Sequence, residues 1–151
     1  MILISHRGNL IGKDPSKENN PTYIQAALTA GYHCEIDLRM EQGQLYLGHD
    51  AHQYLITADF LLQRSDRLWV HCKDVNALAW ALDNKLHCFW HQEDDYTLTS
   101  SQIIWIYPGK DVPNNIQSVV VMPERDMPLA EIKQIRAYGI CSDIVELING
   151  K

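Results

Sequence analysis

The sequence lacks any apolar run approaching the roughly 20 residues that a membrane-spanning helix needs. It also lacks a basic leader ahead of an apolar stretch, because Met1-Ile-Leu-Ile-Ser5 meets the charged pair His6-Arg7 at once. Neither a membrane span nor a signal peptide is expected. Cysteine is sparse and scattered: Cys34, Cys72, Cys88 and Cys141 stand far apart, mostly inside apolar runs. That spacing argues against a zinc site or a disulfide framework and for reduced, buried thiols in a cytoplasmic protein. Positive charge is in deficit, with 13 Lys and Arg against 19 Asp and Glu and a formal net charge of −6. A general nucleic-acid binder normally carries a basic face, so no nucleic-acid partner is expected. Internal repeats, low-complexity tracts and interdomain linkers are missing as well.

What remains is ordinary globular material, 46% hydrophobic and 21% charged. A chain of 151 residues is one domain, with enough residues for a sizeable core but few for a full (β/α) barrel. Short apolar runs at residues 2–5, 33–38, 68–72, 86–90, 103–107, 118–122 and 139–142 lack strict alternation, which suits strands buried on both faces of a parallel sheet. Helix punctuation lies between them. Asn20-Pro21 supplies a cap and a first-turn proline, Tyr23, Ile24, Ala27 and Leu28 form one stripe, and Gly31 stops the helix. Asp74 caps a second helix whose Ala77, Leu78, Ala81 and Leu82 share a face. Further helices are expected after Thr57 and around Pro128. Residues 41–44 read as a turn with 45–47 as a returning strand. Alternation of this kind predicts an α/β fold, a compact, abbreviated (β/α) TIM-type barrel, with an open doubly wound sheet as the competing topology. The connections 93–102 and 108–117 are poor helices, so the abbreviation falls there.

Polar groups end the runs: Ser5-His6-Arg7-Gly8, Glu35-Ile36-Asp37, His71-Cys72-Lys73, Trp90-His91-Gln92, Tyr107-Pro108-Gly109, Pro123-Glu124 and Ser142-Asp143. In a (β/α) barrel the C-terminal strand ends converge on one face. Glu35 and Asp37, two apart on a strand, point to the same side. Two inward carboxylates are costly unless paired or metal-bound. Their hard oxygens favour Mg²⁺ or Ca²⁺; taken alone, the pair also fits ion pairing to Arg7, Arg39 or Lys73. His6 ends the first run and His49 follows the returning strand. Paired histidines suit phosphodiester cleavage, one taking the proton of the attacking hydroxyl and the other protonating the leaving oxygen. His33, His52 and His87 read as structural, and His71 and His91 occupy strand tips. Trp90, Trp105 and Tyr107 fit either a substrate face or core packing.

His6-Arg7-Gly8, Glu18-Asn19, the helix 21–30 with Gly31, Glu35-x-Asp37, Gly43 and His49-Asp50 together resemble the glycerophosphodiester phosphodiesterase family, a group of phospholipase-C-like phosphodiesterases. The match runs over residues 5–50, and Lys73 extends it. The resemblance implies a (β/α) barrel that hydrolyses phosphodiesters with a bound divalent metal. It implies His6 and His49 as the acid/base pair, Glu35 and Asp37 as metal ligands, Glu18 beside or within the metal site, and Arg7 and Lys73 as phosphate contacts. Two departures stand out. Where the family has a metal-binding glutamate two residues before the lysine, this chain has His71, and Lys17-Glu18-Asn19-Asn20 lacks the usual leading proline and final threonine. The metal is then held by Glu35, Asp37 and His71, or also by Glu18 or Glu124, or its affinity is reduced. His91, Tyr107 and Glu124 are candidates for the pocket. A small phosphodiester containing glycerol or a sugar is the expected partner, and an oligomer of identical chains is a further expectation, because a trimmed barrel leaves apolar surface uncovered. Two other readings share these residues: a phosphodiester- or sugar-phosphate-binding barrel without turnover, and a cyclising lyase of the phospholipase D toxin type.

Overall fold

In the computed structural model, residues 1–114 and 116–150 are described; Asn115, in the connection 108–117, and Lys151, at the end of the expected domain, lie outside the described residues. Every apolar run named above contains a strand. Seven of these, β1 (Ile2–His6), β2 (His33–Glu41), β5 (Leu68–Cys72), β6 (Cys88–Phe89), β8 (Ile104–Ile106), β9 (Ser118–Val121) and β10 (Gly139–Ser142), pair in parallel in the order β6-β5-β2-β1-β10-β9-β8. The remaining strands are antiparallel additions. β3 (Gln44–Leu47) and β4 (Tyr54–Ile56) form a meander on the far end of β2, and β7 (Tyr96–Leu98) pairs with β8. Neither β4 nor β7 was expected from the sequence, because each is a strand of only three residues, too short for a periodicity to show.

The sheet is curled rather than flat. Trp69 of β5, Phe89 of β6 and Trp105 of β8 meet across its concave side, with ring centroids 5.8 Å and 4.6 Å apart for the pairs with Trp105. Ile4, Ile103, Val119, Val121 and Cys141 complete that inner core. Among the described residues no ladder joins β6 to β7 or β8, so closure is incomplete at this seam. Backbone bonds there run instead through Ser100, whose N–H donates to the Cys88 carbonyl at 2.8 Å and whose Oγ accepts from Cys88 N at 2.9 Å. No helix occupies residues 93–102 or the described part of 108–117, as the helix-poor composition implied.

Helices cover the convex face where apolar side chains point outward. α1 (Pro21–Thr29) is capped by Asn20, whose side chain accepts from Thr22 N at 2.8 Å, and buries Ile24, Ala27 and Leu28. α3 (Val75–Asp83) is capped by Asp74, accepting from Ala77 N at 2.8 Å. Together with α2 (Ala58–Leu62) they pack on Cys34, Ile36 and Leu38 of β2 and Leu68, Val70 and Cys72 of β5. The stripe on α3 is narrower than its spacing suggested. Ala77 and Ala81 are buried, Leu78 is half-buried against the same cluster, and Leu82 is 51% exposed. α4 (Leu129–Ile132) and α5 (Val145–Asn149) cover β10 through Ile132 and Ile148 on Ile140. α4 ends before Ile135, which packs against the same cluster from outside the helix. All four cysteines are free and buried.

Ile36 sits fully buried between β2 and its covering helices. Replacing it with alanine removes packed methylenes from a site that two layers prevent from collapsing. The expected cost is about 2–5 kcal/mol of unfolding free energy, read from a denaturant midpoint at unchanged m-value.

Candidate active site

The C-terminal ends of the parallel strands open into a cavity of about 800 Å³ lined by His6, Arg7, Glu18, Glu35, His49, His71, Lys73, His91, Tyr107 and their neighbours. The strand period accounts for its floor. Glu35 stands opposite His6 on one neighbour and Trp69 on the other, and Asp37 stands opposite His71, so all four polar side chains share the concave face. The odd-numbered residues of β2 turn inward and Cys34, Ile36 and Leu38 turn outward under the helices.

Glu35, Asp37 and His71 are each more than nine-tenths buried. His71 Nδ1 lies 3.3 Å from Asp37 Oδ1 and 3.8 Å from Glu35 Oε1. Arg7 Nε forms an ion pair with Asp37 Oδ2 at 2.7 Å, and Lys73 Nζ is 3.8 Å from Asp37 Oδ1. Asn19 clasps Asp37 twice, its Nδ2 donating to Oδ2 at 2.8 Å and its Oδ1 accepting the Asp37 backbone N–H at 2.9 Å. Even so, Glu35 Oε2 and Asp37 Oδ1 are buried with no hydrogen bond among the described residues. Burial raises Asp37, but the adjacent His71 and Arg7 outweigh it and hold its carboxyl well below the usual range. Glu35 goes the other way, raised first by burial and then by the charge of Asp37.

The donor set therefore fits a divalent cation. Donor atoms of Glu35, Asp37 and His71 lie within 4.8 Å of one another, and two buried carboxylate oxygens have no hydrogen bond to replace their lost water. His6, Glu18 and Asp143 form a second such cluster, but its polar needs are already met. Asp143 Oδ1 accepts from Asn9 Nδ2 at 2.8 Å and contacts His6 Nδ1 at 2.7 Å, while Glu18 accepts from Asn9 and from Arg7, each at 3.1 Å. Glu18 thus stands with Arg7 and Asn9, outside the Glu35–Asp37–His71 set.

The two candidate acid/base groups sit in different surroundings. Burial opposes protonation of His6, yet the hydrogen bond to Asp143 and the charge of Glu35 outweigh it and raise its pKa above 6.5. His49 is half-buried, and desolvation lowers its pKa below 6.5. Its loop is fastened by Arg39, which donates to the carbonyls of Gly48 and His49, and by the Gly48 N–H to the Asp37 carbonyl at 3.0 Å. Gly48 has φ +149°, and a Cβ there would overlap the Ala51 carbonyl, so the loop accepts only glycine without shifting. Arg7 (φ 54°), Asn19 (φ 63°) and Met122 (φ 44°) also hold left-handed backbone, and all three line the cavity. Such backbone costs on the order of 1–3 kcal/mol at a non-glycine residue and persists where the surroundings enforce it.

Of the other expected residues, His91 and Tyr107 line the cavity with Trp90 and Trp105. Glu124 does not; it accepts the Asp143 backbone N–H at 2.8 Å and so braces the loop behind His6. His33 and His87 instead gather around Trp69, which donates to His33 at 3.4 Å and packs on the His87 ring at 3.9 Å. His52 sits against Tyr46 and Glu41. Sequence reasoning missed Asn9 and the role of Asp143, which was read only as a strand tip. The role of Asn9 is hidden locally, since the two carboxylates to which its side chain donates are 9 and 134 residues away.

The architecture defines a class, an α/β protein whose curled parallel sheet gathers histidines and carboxylates at its C-terminal edge. More particularly, the structure is similar to the crystal structure of glycerophosphodiester phosphodiesterase from Agrobacterium tumefaciens str. C58, with a TM-score of 0.61 at 13% sequence identity over 100% of both chains. The resemblance drawn from the motifs thus extends to the fold. No family model matches the chain, and no curated protein matches it. No helix among the described residues is long and apolar enough to cross a membrane.

The histidines should titrate apart in an NMR pH titration: His6 above 6.5, His49 below it, and His91 near 4, where desolvation holds it. Asp143→Asn removes the carboxylate behind His6 and should bring the His6 value down, leaving His91 unmoved. A His6 titration unchanged in that variant would mean the 2.7 Å contact does not hold the proton.

Proposed function

We propose that this chain is a metal-dependent phosphodiester hydrolase of the glycerophosphodiester phosphodiesterase type, built as one abbreviated (β/α) barrel domain. The observation that supports this best is the presence in one cavity of His6 and His49 beside a buried Glu35–Asp37–His71 donor set. The resemblance supplies the roles, and the electrostatics divide them. His49, neutral near pH 7, takes the proton from the attacking hydroxyl. His6, kept protonated by Asp143 and Glu35, gives its proton to the departing oxygen. Arg7 and Lys73 hold the phosphate oxygens, and Glu18 and Asp37 fix the guanidinium of Arg7 in place. A divalent cation held by Glu35, Asp37 and His71 supplies positive charge against the phosphate. His91, Tyr107 and Trp90 form the wall toward the alcohol groups of a small phosphodiester containing glycerol or a sugar.

A panel of phosphodiesters assayed with and without chelator tests the reading, and turnover lost with chelator and restored by metal is the expected result. His6→Ala and His49→Ala should each lower kcat roughly 10²–10⁴-fold with unchanged circular dichroism. Near-full activity in both variants would sink the assignment. The pH–rate profile should be bell-shaped, its acid limb set by His49 below 6.5 and its alkaline limb by His6 above it. Variants at His49 lose the acid limb alone. The second reading, a binding barrel without turnover, draws on the imidazole at position 71; it predicts phosphodiester affinity with no chelator-sensitive product. A cyclic phosphate in the phosphorus NMR spectrum would instead mark a lyase.

A further inference from the structure

The third member of the buried donor set is an imidazole, and its hydrogen bonding fixes which nitrogen faces the carboxylates. His71 Nε2 lies 3.4 Å from the His91 carbonyl oxygen, which can only accept, so Nε2 carries the proton. The ring is kept in that plane by stacking on His91 (4.7 Å, 6° between planes) and on Phe89 (5.0 Å, 11°). In the neutral ring the lone pair of Nδ1 then points into the space shared with Asp37 Oδ1 and Glu35 Oε1, at 3.3 and 3.8 Å. Glu35 Oε2 and Asp37 Oδ1 are both buried with no hydrogen bond among the described residues. With Nδ1 unprotonated the three atoms repel unless a cation lies among them, and the Lys73 ammonium stands 3.8 Å from Asp37 Oδ1. A carbonyl on the far nitrogen is also the usual outer support of a metal-bound histidine, because it sets the tautomer and raises the basicity of the other nitrogen.

We infer that this site selects a borderline first-row transition ion, of the Co²⁺ and Zn²⁺ kind, over the Mg²⁺ or Ca²⁺ that an all-oxygen set would favour. Hard ions bind through charge and oxygen number. Here the site offers only two carboxylates, and Arg7 and Lys73 already offset the charge of Asp37 at 2.7 and 3.8 Å. An imidazole nitrogen adds no negative charge and gives its advantage to ions that form partly covalent bonds to nitrogen. The inference rests on the metal-holding part of the proposed function and is independent of turnover.

The test uses the full chain stripped of metal, titrated separately with Mg²⁺, Ca²⁺, Co²⁺ and Zn²⁺ by calorimetry and thermal unfolding. Co²⁺ and Zn²⁺ should bind at least ~10-fold more tightly than Mg²⁺, and the visible Co²⁺ spectrum should carry a nitrogen-ligand signature. His71→Glu should narrow that preference by raising Mg²⁺ affinity and should erase the signature. His71→Gln should erase it too, so the reading does not depend on one variant folding. Equal or tighter binding of Mg²⁺ or Ca²⁺ by the parent protein overturns the inference. So does a Co²⁺ spectrum unchanged in both variants, or an absence of stabilisation by any ion. Turnover supported by Mg²⁺ with no Co²⁺ preference would sink this inference and leave the phosphodiesterase reading standing. Tight, His71-dependent Co²⁺ binding without turnover on any phosphodiester would do the reverse.

Discussion

Glu35 and Asp37 are two residues apart on a strand whose other face is sealed by Cys34, Ile36 and Leu38 against three helices. The pleat therefore commits both carboxylates to the concave side, away from water, and the surrounding structure answers that cost. Arg7 and Lys73 bring positive charge to Asp37, Asn19 grips it from side chain and backbone, and His71 faces both acids from the next strand. A buried carboxylate pair without such neighbours would destabilise the fold by several kcal/mol. With them it becomes a site whose remaining unmet valence is suited to one cation.

Fastening that arrangement requires backbone that the residues do not favour. Arg7 and Asn19 adopt positive φ, and the Asn19 N–H binds the Arg7 carbonyl at 3.0 Å. The loops after β1 and before α1 are thereby stitched together beside Asp37. On the opposite rim the meander of β3 and β4 carries His49 inward, held by Arg39 and by a glycine whose missing Cβ leaves room for the Ala51 carbonyl. Neither loop has a hydrophobic core of its own. Both depend on hydrogen bonds to β2, which makes that strand the common support of the two loops and of the donor set.

The seven histidines separate by environment rather than by position. His6 is paired with Asp143 and stays protonated more readily than a free imidazole. His49 is partly dried and less so, and His91 is held neutral until pH 4. His71 is fixed by a carbonyl on one side. Of the remaining three, His87 and His52 pack against aromatic rings and His33 accepts from the Trp69 indole, all outside the cavity lining.

By itself the sequence determined the positions of the seven parallel strands and of β3, the alternation with helices, and the inward pairing of Glu35 with Asp37, because each follows from local periodicity, capping and the two-residue pleat. It also marked His6, His49, Arg7 and Lys73 through motifs that are contiguous or nearly so. Contacts across the chain were decided only by the tertiary structure. Asp143 reaches His6 across 137 residues and Asn9 across 134, and Glu124 turned out to brace Asp143 instead of lining the pocket. The open ladder beside β6 was equally hidden, since the Cys88 backbone groups on that edge are taken by Ser100 from a connection twelve residues on. The orientation of the His71 ring belongs here too: a histidine at a strand tip is legible in one dimension, but the carbonyl that sets its tautomer comes from the neighbouring strand's loop, 20 residues on.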